Sequence, residues 1–156
     1  MMIRPNIFPL LFLLCLSANA SALDRELSRS IFAELISIDT TNEHGNTTLA
    51  AQAMKNRLLA AGIPEQHLWL GGSASDKQNL VIRMPGKSSL NPILLLAHLD
   101  VVEALDADWT TAPFQLTEKD GYFYGRGTLD DKSMACLLYT SPSPRDQRGS
   151  RMPSSA

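Results

Sequence analysis

In LLLAHLDVV, residues 94–102, an imidazole and a carboxylate stand two positions apart as His98 and Asp100, directly after an apolar run. On an extended backbone such residues face the same way. Asp100 can then hold the His98 ring, set its tautomer and raise its basicity, as a carboxylate does behind a metal-bound histidine. The same pair fits a strand-end histidine satisfied by its neighbour without any metal. Further along, GRGTLDDK, residues 125–132, carries Asp130 and Asp131 on a turn whose glycines admit backbone conformations closed to other residues. A carboxylate bridging two divalent ions about 3.5 to 4 Å apart, with a histidine on each ion, is the standard donor set of a two-metal hydrolytic site. Taken alone, such a loop is also an ordinary solvated turn.

Other candidates are weaker. His44 in NEHGN and His67 in EQHLW have no partner at ligand spacing and read as exposed or structural histidines, while Asp106 and Asp108 read as solvated loop charge. Lys132 reads either as a cation steadying the carboxylate loop or as a surface lysine.

These groups need elements to hold them. LDRELSRSIFAELISI, residues 23–38, spaces Leu27, Ile31, Leu35 and Ile38 as one face of an amphipathic helix, with Asp24 as its cap. A second helix is expected through LAAQAMKNRLLAAG, capped by Thr47 or Thr48 and ended by Gly62 in a left-handed conformation. The period then changes to strand-like runs, HLWLGG, NLVIRMPG and NPILLLAHLD, bounded by Gly, Pro or Asn. Ile93 to Ala97 is continuously apolar, which predicts a central strand covered on both faces and hence a layered α/β domain, with His98 and Asp100 at its carboxyl end, where open sheets build their sites. FQLTEKDGYFYGRG predicts a hairpin turning at Lys119, Asp120 and Gly121.

The bulk composition of the 156 residues, 44% hydrophobic and 19% charged with net charge −2, carries no basic excess that would favour nucleic acid or an anionic membrane. Residues 1–22 read as a secretory signal peptide. Arg4 precedes an apolar run from Ile7 to Leu16, and Ala18, Ala20 and Ala22 offer a small-residue cleavage site. That run is about half the roughly 20 residues needed to span a bilayer. No membrane association is therefore expected after cleavage, and a secreted or periplasmic location is. With only Cys15 and Cys136 in the chain, a disulfide framework is not expected.

HLDVV, the spacer DADWTTAPF and EKDGYFYGRGTLDDK together resemble the co-catalytic zinc metallopeptidase family of glutamate carboxypeptidase, aminoacylase, succinyl-diaminopimelate desuccinylase and carboxypeptidase S-like enzymes. The resemblance runs from about Leu23 to Ala135. It implies an α/β, three-layer zinc-exopeptidase-like catalytic domain that binds two zinc ions. His98 then corresponds to a zinc ligand, Asp100 to the active-site aspartate that orients it, and Asp130 to the carboxylate bridging both zincs, with a peptide bond to Asp131 that is often cis in relatives. Trp109, Pro113, Phe114, Gly121, Tyr124, Gly125, Arg126 and Gly127 correspond to scaffold. The implied reaction is attack of zinc-activated water on an amide of a peptide or N-acyl amino acid. A homodimer formed through the family's second domain is compatible with it.

The pattern also breaks off. Relatives follow the bridging aspartate with a Glu-Glu pair, a further acidic ligand and a final His, whereas here no Glu follows Glu118 and no His follows His98. CLLYTSPSPRD is the in-frame reading of a sequencing adapter, so residues 136–156 are expected to be translated adapter rather than native sequence. Residues 23–135 are accordingly read as the N-terminal part of the catalytic domain, truncated after the bridging-aspartate loop, and as a fragment inactive by itself. Two other readings stand beside this one: a ligand-depleted binding ectodomain of the same fold, and an assembly artefact without function.

Overall fold

The computed structural model describes residues 19–86 and 91–140. Helix α1 (Asn19–Ser37) begins before Asp24, which therefore lies inside it and is not its cap. Its buried stripe is Ile31, Phe32, Leu35 and Ile36, one turn apart in pairs, whereas Leu27 is exposed. Helix α2 (Thr47–Ala60) is capped by Asn46, whose side-chain oxygen accepts the Leu49 N–H at 3.1 Å, so the cap falls one residue before the expected threonines. It ends as expected at Gly62, at φ +86°. There Gly62 N–H bonds Leu59 O and Ile63 N–H bonds Leu58 O, satisfying two of the last carbonyls in a Schellman arrangement.

Strands β1 (Leu68–Gly72) and β2 (Gln78–Ile82) form an antiparallel pair with Leu70 opposite Leu80, and α2 packs on it. Strands β3 (Thr117–Lys119) and β4 (Tyr122–Tyr124) form the expected second hairpin, closed by Asp120 and Gly121 at φ +54° and +79°, the geometry of a type I′ turn. Phe123 of β4 meets Phe32 edge to face with ring centroids 5.7 Å apart, joining the hairpin to α1.

Helix α3 (Lys132–Thr140) lays Ala135 and Cys136 against α1, and the Cys136 thiol donates to Ser28 O. The boundary expected after Ala135 falls within this helix. The core is Ile31, Phe32, Leu35 and Ile36 with Ala50 and Met54 of α2 and Ala135 and Cys136 of α3. Each large member contributes roughly 1.5 to 3 kcal/mol through burial. The expected leader lies outside the described residues up to residue 18, and the stretch 136–156 does so from residue 141. No described helix is long and apolar enough to cross a membrane.

Mixed helices and small sheets agree with an α/β class, but the central strand needs correction. Residues 92–100 form no strand and have no strand partner among the described residues, and Ile93, Leu94, Leu95 and Leu96 are 86, 78, 65 and 78% exposed. An apolar run becomes a covered strand only when neighbours supply both edges and both faces, and here a single parallel bridge, Thr41 to Val101, touches the segment's far end. Unpaired backbone beside exposed leucines is a template for pairing with other chains. Leu94→Lys combined with Leu96→Lys is expected to shift the chain toward monomer in light scattering behind size exclusion. An unchanged mass distribution would refute that.

Candidate functional site

The site is assembled from two arms. One is the end of the extended apolar segment, residues 98–101. The other is the glycine-bounded turn that leads into α3. They meet where His98 Nε2 lies 2.8 Å from Asp130 Oδ1, across 32 residues of sequence. A second cross-link runs through the main chain, as His98 N–H donates to Asp131 Oδ2 at 3.1 Å. The Asp130–Asp131 peptide bond is cis. All three sequence-derived residues, His98, Asp100 and Asp130, are solvent-exposed.

Asp100 reaches the His98 ring chiefly through its backbone. The ring Nδ1 is 2.9 Å from Asp100 O and 3.5 Å from Asp100 Oδ1. With Nδ1–H donating to that carbonyl, the Nε2 lone pair is left to face Asp130 and solvent, the tautomer a metal ligand needs. Without metal both ring nitrogens face acceptors, which favours the imidazolium. Partial burial lowers the His98 pKa, but the bonds to Asp100 O and Asp130 and the charges of both carboxylates outweigh it and hold the value above 6.5.

The sign of the pH dependence follows. A histidine pKa raised on folding adds stability that is complete below about pH 6.5 and fades as pH rises through the folded value. In chelator, the urea midpoint of the wild type should therefore fall relative to Asp130→Asn as pH rises above about 6.5. Lys132, whose pKa is lowered by burial to about 8 despite attraction from Asp39, is common to both proteins and cancels in the comparison. Parallel profiles for the two proteins would count against the His98–Asp130 pairing.

Below the exposed pair lies a layer whose burial the sequence pattern did not show. Lys132, read as a loop-steadying or surface lysine, is fully buried, and its ammonium donates to Leu35 O and Ile38 O at 2.8 Å each. Thr40, also fully buried, donates from Oγ1 to Leu99 O at 2.6 Å and accepts the Val101 N–H at 3.2 Å. Asp131 was legible only as half of an aspartate pair. Its bond to the His98 backbone, like the burial of Thr40, leaves no local signature in residue type or spacing.

Of the scaffold residues, Pro113, Gly125 and Gly127 are buried and Trp109, Phe114 and Arg126 half-buried, whereas Gly121 and Tyr124 are exposed. The Arg126 guanidinium stacks over Trp109 at 5.0 Å and donates to Glu103 O at 3.2 Å, and Pro113 and Gly125 are buried beneath them. His44 is exposed beside Glu43, and His67 closes the short 3-10 turn Glu65–His67 before β1. Asp106 and Asp108 lie exposed in a 3-10 turn of their own.

The donor chemistry at His98 and Asp130 fits zinc, but the number falls short. Among the described residues no group of three or more His, Cys, Asp or Glu comes together, whereas zinc sites take three or four protein ligands.

Comparison with known proteins bears on the same residues. The sequence profile of peptidase family M20/M25/M40 matches residues 94–141, from the apolar run through both site arms. Acetylornithine deacetylase of Myxococcus xanthus is 40% identical over 116 residues, covering 72% of this chain and 30% of that protein. An N-fatty-acyl-amino acid synthase/hydrolase PM20D1 of Xenopus tropicalis is 46% identical over 74 residues, 47% of this chain and 13% of that protein. A probable succinyl-diaminopimelate desuccinylase of Staphylococcus epidermidis is 36% identical over 104 residues, 65% of this chain and 24% of that protein. The matched stretches thus span under a third of these relatives, and no solved structure matches the chain. Carrying His98 and the paired aspartates in one matched stretch, the chain fits peptidase family M20/M25/M40 as a fragment-sized piece.

Proposed function

We propose that this chain belongs to an exported zinc-dependent hydrolase of amide bonds, with His98 as a ligand to one zinc, Asp130 as the carboxylate shared by two, and Asp100 holding the His98 ring. The supporting observation is the convergence of His98 Nε2 and Asp130 Oδ1 to 2.8 Å from separate arms. Bound zinc would polarise the scissile carbonyl and lower the pKa of an attacking water. His98 and Asp130 would hold the ions, and Asp100 would keep Nδ1 protonated so that Nε2 can bind.

The three relatives' names share one chemistry, an acyl group on the nitrogen of an amino acid. N-acyl amino acids are therefore the proposed substrate class, with dipeptides and peptides bearing a free C-terminus as the alternatives. Export rests on Arg4 and the apolar run Ile7–Leu16. By its own described residues the chain supplies too few ligands for efficient catalysis, so the activity is proposed for the full-length gene product.

The same shortage supports a second reading, a ligand-depleted binding protein of this fold. Metal analysis of the full-length product, with assays on N-acyl amino acids, dipeptides and longer peptides, separates the two. Near-stoichiometric or higher zinc with hydrolysis of at least one class is expected. A metal-free, inactive product would leave only the binding reading.

A further inference from the structure

Both arms of the site hang from one place. The carboxylate arm is tied through Lys132, whose ammonium donates to Leu35 O in the last turn of α1 and to Ile38 O just past it. The histidine arm is tied through Thr40, immediately past that turn, by its hydroxyl on Leu99 O, its carbonyl under the Val101 N–H, and the parallel bridge from Thr41 to Val101. Lys132, Thr40 and Thr41 are 0, 0 and 1% exposed, while the pair above them is open to solvent.

The two tethers border one spot on the chain, Gly127. Gly127, at φ +90°, lies where a Cβ would come 2.9 Å from Lys132 Cδ and 3.0 Å from Val101 Cγ1. The lysine stem thus passes beside the histidine arm through a gap only glycine leaves, and Lys132 N–H donates to Gly127 O at 3.1 Å.

We infer that the C-terminal turn of α1 is the common anchor setting the His98–Asp130 separation, with Lys132 and Thr40 as positioning residues. The inference rests on the reading of His98 and Asp130 as paired ligands. A carboxylate loop free to move would present Asp130 to the imidazole only part of the time, and buried polar groups that fix ligands from behind typically change metal affinity 10- to 100-fold when removed. Lysine suits the carboxylate arm because its flexible stem runs through apolar packing while its head supplies donors to the orphan carbonyls at a helix end.

The test is a coupling cycle on the full chain, read without metal from the His98 ring nitrogens by NMR, where only three histidines contribute. Asp130→Asn should displace the His98 ring signals in the wild-type background. In Lys132→Met, which keeps an apolar stem, that displacement should fall to less than half. Thr40→Val, nearly isosteric and lacking only the hydroxyl, should weaken it in the same direction and carries the test if Lys132→Met fails to fold. Met54→Val, a buried change in α2, should leave the displacement intact at a comparable urea midpoint.

Equal displacement in all backgrounds overturns the inference, as does equal weakening by Met54→Val, which would mean that any loss of stability suffices. Titration with Co2+ addresses the underlying reading separately. Selective broadening of His98 over His44 and His67, with a midpoint at least tenfold higher in Thr40→Val, supports both. An intact coupling cycle with no Co2+ response at His98 removes the metal reading and leaves the positioning role standing.

Discussion

Lys132→Ala is expected to destabilise the chain by about 3 kcal/mol, a large share of the roughly 5 to 15 kcal/mol available to a domain. Two costs add. Truncating a fully buried stem leaves a cavity among Gly127, Val101 and the α1 end, and large-to-small changes of that kind cost about 2 to 5 kcal/mol. Leu35 O and Ile38 O then lose their donor at about 1 to 3 kcal/mol for each group left unsatisfied. Relief of the desolvated ammonium acts the other way, since burial already drags the Lys132 pKa down to about 8. The net figure is therefore set below the sum. Urea denaturation followed by circular dichroism measures it, with exposed Lys119→Ala as the reference expected within about 0.5 kcal/mol of wild type. A Lys132→Ala loss no larger than that of Lys119→Ala would show that the buried lysine is not holding the turn.

The second large effect falls on metal binding. In the full-length product, Asp130→Ala and His98→Ala should each raise the Zn2+ dissociation constant by roughly 100-fold or more, equivalent to about 2.7 kcal/mol or more. A carboxylate shared by two ions affects both when it is lost, so Asp130→Ala should also lower the number of ions bound, whereas His98→Ala should weaken one. His44→Ala and His67→Ala serve as controls, since His44 lies beside Glu43 and His67 in the 3-10 turn before β1, outside both site arms. Competition with a chromophoric chelator reads all four. Unchanged affinity in Asp130→Ala would end its assignment as a ligand.

What the sequence disclosed follows how local each signal is. The hairpin at Asp120-Gly121 and the helix stop at Gly62 were legible because turn chemistry is written in two or three adjacent residues. The two site arms were legible because GRGTLDDK and HLD carry unusual residue types at fixed spacing. The α2 cap slipped by a residue, since Asn46, Thr47 and Thr48 are all competent caps, whereas the expected α1 cap, Asp24, fell inside its helix. The buried stripe of α1 turned away from Leu27 toward Phe32 and Ile36 because Phe123 and α3 cover that side.

Two larger differences share one cause. An apolar run such as Ile93–Ala97 specifies what it can be buried against, not whether a neighbour lies alongside, so its exposure could not be read from its own residues. Lys132 sits in a polar stretch, and the carbonyls that bury it belong to residues 97 and 94 positions earlier. Nothing within a window of ordinary helical or strand period links the two.

That separation has a temporal side. On a ribosome adding about 5 to 20 residues per second, the 97 positions between Leu35 and Lys132 amount to on the order of 5 to 20 seconds of synthesis. Helix α1 emerges early and waits through that interval with its final carbonyls uncapped, while α2 and the first hairpin, whose contacts are short-range, have time to form many times over. His98 also arrives before its carboxylate, Asp130, which follows it by 32 positions. The carboxylate arm thus gains its tie to the end of α1 only when Lys132 has been added, after the histidine arm and the Thr40 that holds it are already in the chain.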